Sequence, residues 1–182
     1  MMDMMDFRAV VVFINGEYWG IHHLRERMDE HYFSDHYGIE KDSIEILEGK
    51  EGSTQADTQR FGKLYQFVQN NDLTIQENYE QVAAQIDIEN FIDYHVAEIY
   101  LANLDWPGKN HKYWSSTEIY EQWRWLPYDF DGSMKDYNYN VFERMDLKEG
   151  KQKLPEWSVL FFQKLIENDD FRKAFLTRFS TM

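Results

Sequence analysis

The spacing of apolar side chains changes period several times along the chain, and each change marks an element. Residues 8–14 (RAVVVFI) and 17–24 (EYWGIHHL) are rich in β-branched and aromatic residues and flank Asn15-Gly16. Asn-Gly takes the positive φ angles of a type I′ turn, so the two runs predict a β-hairpin over 8–24. The period then lengthens: Met28, Tyr32, Phe33 and Tyr37 suit a short amphipathic helix within 27–37, closed by Gly38. SIEIL, residues 43–47, alternates like a strand. Residues 48–58 (EGKEGSTQADT) are polar and aperiodic, so they read as a loop.

Helical spacing returns at Phe61, Leu64, Tyr65 and Val68, and Thr74 with Glu77 forms the pattern of a capping box for a second helix. A third helix is expected from Asp87, with Phe91, Ile92, His95, Val96 and Ile99 on one face, ending near Asn103. LDWPGKN, residues 104–110, is turn-rich. HKYWSS and EQWRWLPY read as two strands, followed by the polar stretch DFDGSMKDYNYN. Pro155 sits where an N1 proline would open a helix bearing Trp157, Leu160, Phe161 and Leu165. Strands, helices, strands and helices follow one another in blocks, which favours an α+β fold over a parallel doubly wound sheet.

Composition narrows the function classes. At 182 residues, with 43% hydrophobic and 17% aromatic residues, the chain is one domain with enough apolar surface for a core. Nineteen Lys and Arg against 33 Asp and Glu leave a net charge of -14, which repels phosphate backbones and argues against a nucleic-acid partner. The longest apolar run, Ala9 to Ile14, is strand-sized, so no membrane span is expected. The absence of Cys excludes disulfides, zinc ribbons and thiol nucleophiles and leaves the compartment open. The N-terminal residues lack the charge-then-apolar pattern of a secretory signal. The chain stops within a helical pattern at residues 171–179, as a piece of a longer protein would.

Three constellations carry candidate chemistry. Asp105 is followed five positions later by Asn110 on a loop between a helix and a strand, the spacing of a protein-kinase catalytic loop, where the Asp orients a hydroxyl proton and the Asn holds a metal ion. A plain turn is the alternative. Asp129 and Asp131 stand at i and i+2 at the exit of an aromatic strand; on a strand they would share a face and suit Mg²⁺. A calcium loop is excluded, since an EF-hand wants Gly at its sixth position and Glu at its twelfth, where Met134 and Asn140 stand.

In WGIHHLRER, residues 19–27, strand alternation would separate His22, Leu24 and Glu26 from His23, Arg25 and Arg27. Arg25 and Arg27 would then reach nucleotide phosphates while Glu26 orients a partner, or the cluster is a surface ion-pair network. Lys50, in the glycine-containing loop EGKEGS, is a candidate phosphate ligand or a plain loop residue. No P-loop, dinucleotide or G-x-S-x-G motif occurs. Six Trp beside paired acids leave a carbohydrate cleft as a further reading.

Taken in order, VVFINGEYWGIHHLRERMDEHYF, DSIEILEG, NFIDYHVAEIYLANLDWPGKNHKYW, RWLPYDFDGS and WSVLFFQKLIENDDFRKAFLTRF resemble the bacterial spore-coat protein H (CotH) kinase family of atypical protein kinases. The resemblance covers most of residues 10–179. It implies a divergent kinase-like fold, with residues 1–50 as a strand-rich nucleotide-facing part and 57–182 as a mainly helical part carrying the catalytic and metal loops. It implies ATP with Mg²⁺ or Mn²⁺ as cofactors and transfer of the γ-phosphoryl to Ser or Thr of a protein substrate. On this basis Asp105 is the catalytic acid, Asn110 and Asp129 are metal ligands, and Asp131 supports them. The location implied is extracellular, on a cell surface or spore coat. A silent kinase-like binding module is the alternative. GSMKDYNYN departs from the family pattern after the second acid pair, and no lysine matches the phosphate-pairing lysine of kinases.

Overall fold

The computed structural model describes residues 2–49, 60–145 and 154–181. The elements are β1 (Phe7–Ile14), β2 (Glu17–Arg25), α1 (Glu30–Tyr37), β3 (Ile44–Glu48), α2 (Arg60–Asn70), α3 (Gln76–Ala83), α4 (Ile88–Tyr100), β4 (Lys112–Ser116), β5 (Tyr120–Trp125), α5 (Val141–Met145), α6 (Glu156–Leu165) and α7 (Asp169–Ser180). Single 3-10 turns form at Lys41–Ser43 and Phe130–Gly132. The fold is mixed α+β, with two antiparallel sheets, β1-β2 and β3-β4-β5.

Strand alternation explains how the three-stranded sheet organises the body. On β4, Tyr113 joins a large cluster with Phe61, Phe91, Trp123, Trp125 and Phe161, while its neighbour Trp114 turns to the opposite face and packs with Met28, Phe33 and Leu126. The sheet therefore has the α2, α4, α6 and α7 side chains on one face and α1 on the other. Phe33 stacks on Trp114 with ring centroids 3.9 Å apart. The strand expected at 43–47 is β3, and it pairs in register with β4 from Ile44↔Ser116 to Glu48↔Lys112, tying residues of the first 50 into the sheet of the later part.

Helix ends follow local chemistry. Asp29 caps α1 through its carboxylate to His31 and Tyr32 N–H, and Gly38 closes it at φ 67°. Asp87 caps α4 and Asn168 caps α7. Two cap expectations are corrected. The Thr74–Glu77 box does not form: Asp72 takes the Thr74 N–H at 2.9 Å and its hydroxyl at 2.7 Å, and α3 starts after Ile75 with no side-chain cap. Pro155 is the residue before the helix, in extended conformation at ψ 132°, so α6 begins at Glu156.

The hairpin forms as expected, with Asn15 and Gly16 at φ 52° and 85°. Pairing jumps from Val12↔Gly20 to Phe13↔Tyr18, which leaves Trp19 as a bulge. The strand ends at Arg25, so the expected alternation does not extend to Glu26 and Arg27. Phe7, Val11, Phe13, Tyr18, Trp19, Ile21 and Leu24 are all exposed, and none belongs to either core cluster. Lys50 and most of the loop expected at 48–58 lie outside the described residues. Among the described residues no helix is long and apolar enough to cross a membrane.

Candidate functional site

The site is built where α4 runs out. Phe91, Ile92, His95, Val96 and Ile99 bury one side of that helix, as their spacing requires, and Tyr94 and Glu98 are buried with them. After Tyr100 the chain reverses through Ala102 at φ 48°. It then meets the turn that follows β5: Leu104 N–H donates to Gly132 O at 3.2 Å, and Met134 N–H donates to Leu101 O at 2.9 Å. These two backbone bonds hold the loop carrying Asp105 against the loop carrying Asp129 and Asp131.

Side chains reinforce the junction. Asn110 Nδ2 donates to the main-chain carbonyl of Asp129 at 3.1 Å. The carbonyl of Asn110 accepts from Tyr94 Oη at 3.1 Å, and Tyr94 Oη accepts from Trp106 Nε1 at 3.0 Å. Trp106 is fully buried and followed by a cis peptide to Pro107. His111 Nε2 lies 2.9 Å from the Pro107 carbonyl. Arg144, on α5, donates to the Leu104 carbonyl and to the Tyr139 hydroxyl. The Asp105 loop is thus anchored on three sides while Asp105 itself stays partly accessible, in an ion pair with Lys109 at 3.5 Å.

The expectation that Asp129 and Asp131 share a strand face is corrected. β5 ends at Trp125, Asp129 has φ 58°, and Phe130–Gly132 form a 3-10 turn. A tight turn nevertheless brings the two acids together. The Asp129 carboxyl is pushed up by partial desolvation, then by the charge and side-chain hydrogen bond of Asp131 and the charge of Asp105, against a lowering contribution from the Asp131 N–H. The charges of Asp131 and Asp105 beside Asp129 make this a place where a cation relieves repulsion on the Asp129 carboxylate.

Behind them, Glu98 is fully buried, and burial pushes its carboxyl up to about 8, against a lowering hydrogen bond from Asn103. Glu98 is therefore neutral at pH 7 and adds no fourth charge. Tyr128, which donates to Glu48 Oε1 at 3.1 Å, is pushed above the usual phenol range chiefly by burial and then by Glu48.

The candidate residues thus fall into two groups. Asp105, Asn110, Asp129 and Asp131 come together although 24 residues separate the first from Asp129 in sequence. The partners of Glu26 and Arg27 lie elsewhere: Glu26 accepts from Asp6 N–H at 2.9 Å and pairs with His36 at 3.4 Å, and Arg27 lies 3.9 Å from Asp29. Arg25 lines an open hollow of about 280 Å³ with Phe7, Arg8 and Leu24. Sequence reasoning missed Glu98, Asn103, Lys109 and Arg144. An acid on the apolar face of α4, two positions after a helix residue already assigned to the core, was a usable signal for Glu98; nothing local marks Arg144.

The donor set is chemically suited to a hard divalent ion. Asp129 and Asp131 offer carboxylate oxygens and Asn110 an amide oxygen, while Mg²⁺ commonly takes one or two carboxylates and completes its shell with water and phosphate. Among the described residues no three His, Asp or Glu side chains form a group that holds a metal by themselves. Trp106, Trp114, Trp123 and Trp125 are buried in the core and present no stacking faces, while Trp19 on the hairpin is exposed.

The chain matches the family model described as CotH kinase protein over residues 1–182, and it belongs to that family. Membership suggests a kinase and implies use of ATP. No curated protein and no solved structure matches the chain.

Proposed function

We propose that this chain is a Mg²⁺-dependent protein kinase domain of divergent kinase-like fold, transferring the γ-phosphoryl of ATP to Ser or Thr of surface or coat proteins outside the cytoplasm. The observation that carries the reading is the convergence of Asp105, Asn110, Asp129 and Asp131 at one loop junction, within a family of kinases. Asp129 and Asp131 would hold the ion with Asn110, and the ion would neutralise charge developing on the transferred phosphoryl. Asp105 accepts the proton of the incoming hydroxyl at its exposed carboxylate. Lys109, paired with Asp105 at 3.5 Å, supplies a cation beside the same position. Mn²⁺ would serve the same donors. Arg25, Glu26, Arg27 and Lys50 are proposed to face the nucleotide from the N-terminal part.

A thermal-shift titration with ATP, with and without Mg²⁺ or Mn²⁺, tests the reading. A metal-dependent rise in melting temperature that Asp129→Asn abolishes supports it; no rise in the wild type overturns it. A second reading, a catalytically silent kinase-like binding module, is favoured by the hairpin, whose apolar side chains stand exposed and available to a partner.

A further inference from the structure

Asn103 has no place in the phosphoryl-transfer scheme, yet its fully buried side chain touches α4 and both acidic loops. Its Nδ2 donates to Glu98 Oε2 at 3.0 Å and reaches the Asp129 carbonyl at 3.4 Å. Its Oδ1 accepts the main-chain N–H of Asp105 at 3.2 Å. The same oxygen lies against Gly132, where a Cβ would approach it to 2.7 Å, closer than a carbon and an oxygen tolerate. One amide group therefore holds the backbone of Asp105 with its acceptor and the backbone of Asp129 with its donor. Gly132 is the residue that lets the second loop come close enough.

An amide can do this only if its flip state is fixed, because a 180° rotation would exchange donor and acceptor and break both links. The Asp105 N–H, a donor only, and the Asp129 carbonyl, an acceptor only, set it. Glu98 Oε2, accepting from Nδ2 on the side of the rigid α4, supports the orientation in which Oδ1 faces Asp105. Among the described residues Glu98 Oε1 has no hydrogen-bond partner, so the bond of Oε2 to Asn103 is the carboxyl's side-chain contact.

We infer that Asn103, supported by Glu98 and admitted by Gly132, is the positioning residue that sets the separation of Asp105 from Asp129. Neither Asn103 nor Glu98 contacts substrate; they act through the backbone of the two acids. This rests on the reading of Asp105 and Asp129 as the working pair, but the clasp itself is measurable without it.

The experiment uses the whole chain as wild type, Asn103→Ala, Glu98→Gln and Glu98→Ala. It follows site-resolved amide hydrogen exchange and Mn²⁺ affinity by electron paramagnetic titration in the presence of ATP. Asn103→Ala is expected to speed exchange at Asp105 and Leu104 at least tenfold, while the Trp123 and Leu126 amides, bonded to Gln85 and Lys112, keep their wild-type rates. It is also expected to weaken Mn²⁺ binding at least tenfold. Glu98→Gln retains an oxygen to receive Nδ2 and should match the wild type on both readouts, whereas Glu98→Ala should follow Asn103→Ala.

Unchanged protection at Asp105 in Asn103→Ala, or Glu98→Gln behaving like Glu98→Ala, overturns the inference. If Asn103→Ala does not fold, Gly132→Ala decides on the same readouts, because it crowds Oδ1 while leaving both polar side chains in place. If the wild type binds no Mn²⁺, the metal reading falls, and the exchange data alone still confirm or refute the clasp.

Discussion

Asn110 and Asp129 both hold left-handed backbone, at φ 61° and 58°, and the Asn110 side-chain amide donates to the Asp129 carbonyl at 3.1 Å. Two non-glycine residues in a sparsely populated conformation are thereby joined across the site. Asn tolerates that conformation better than most residues, since its short side chain finds local polar partners. Asn110→Ala loses both the bond and the tolerance and is expected to cost about 1–3 kcal/mol. Asn110→Gly keeps the backbone freedom and should cost less. Urea denaturation of the two variants side by side checks the order.

Asp129→Asn should leave the fold intact, because the side chain is exposed and the contacts that organise the loop run through the Asp129 main-chain carbonyl. The expected outcome is wild-type circular dichroism with loss of metal-dependent phosphate transfer by a factor of at least a hundred. Retained transfer in a correctly folded variant would refute the assignment of Asp129.

Tyr94 connects the core to the Asp105 loop through a single oxygen, which accepts from Trp106 and donates to the Asn110 carbonyl. Tyr94→Phe leaves the buried Trp106 N–H without an acceptor and is expected to destabilise by about 1–3 kcal/mol. Tyr94→Phe should also raise the KM for nucleotide by loosening Asn110. Chemical denaturation and steady-state kinetics on the same preparation separate the two effects.

Buried histidines set an acid limit. Burial pushes His95 down to about 3 and His111 down to about 4 from 6.5, against the raising effect of their bonds to the Phe91 and Pro107 carbonyls. Between those values and 6.5 the unfolded chain binds more protons than the folded one, so stability should rise with pH through this window. Glu98 acts in the opposite sense: raised to about 8 from 4.5, it is protonated in the fold and ionised in the unfolded chain, so its contribution falls as pH climbs between those values. The urea midpoint should therefore climb from pH 4 to about 6.5, where the two histidines outweigh Glu98, and decline with a similar slope to pH 8. Glu98→Gln should abolish the decline.

The hairpin is expected to be energetically separate from the body. Ile21 is 66% exposed and Trp19 63% exposed, so Ile21→Thr or Trp19→Ser should change stability by no more than about 0.5 kcal/mol. A cooperative loss above 2 kcal/mol in either variant would show that the hairpin packs on the body in solution.

Local signals read correctly wherever the deciding interactions are local. Asn15-Gly16 announced the hairpin, Gly38 the end of α1, and the Phe91–Ile99 face the buried side of α4. They misled where a neighbour competes for the same group: Asp72 lies two residues before Thr74 and captures its N–H before any helix cap can form. The i and i+2 spacing of Asp129 and Asp131 was read with strand geometry, but β5 stops at Trp125 and the acids meet through a 3-10 turn.

The sequence by itself determined most element types, the α+β class and the family, because periodicity, turn residues and motif spacing are properties of short stretches. Only the tertiary structure decided that Asn103 spans the two acidic loops, that Gly132 must lack a side chain, and that Glu98 is neutral behind them. Those facts depend on which groups are brought within 3 to 4 Å and removed from water. Neither distance nor desolvation is written in the order of residues until the sheet and α4 have packed.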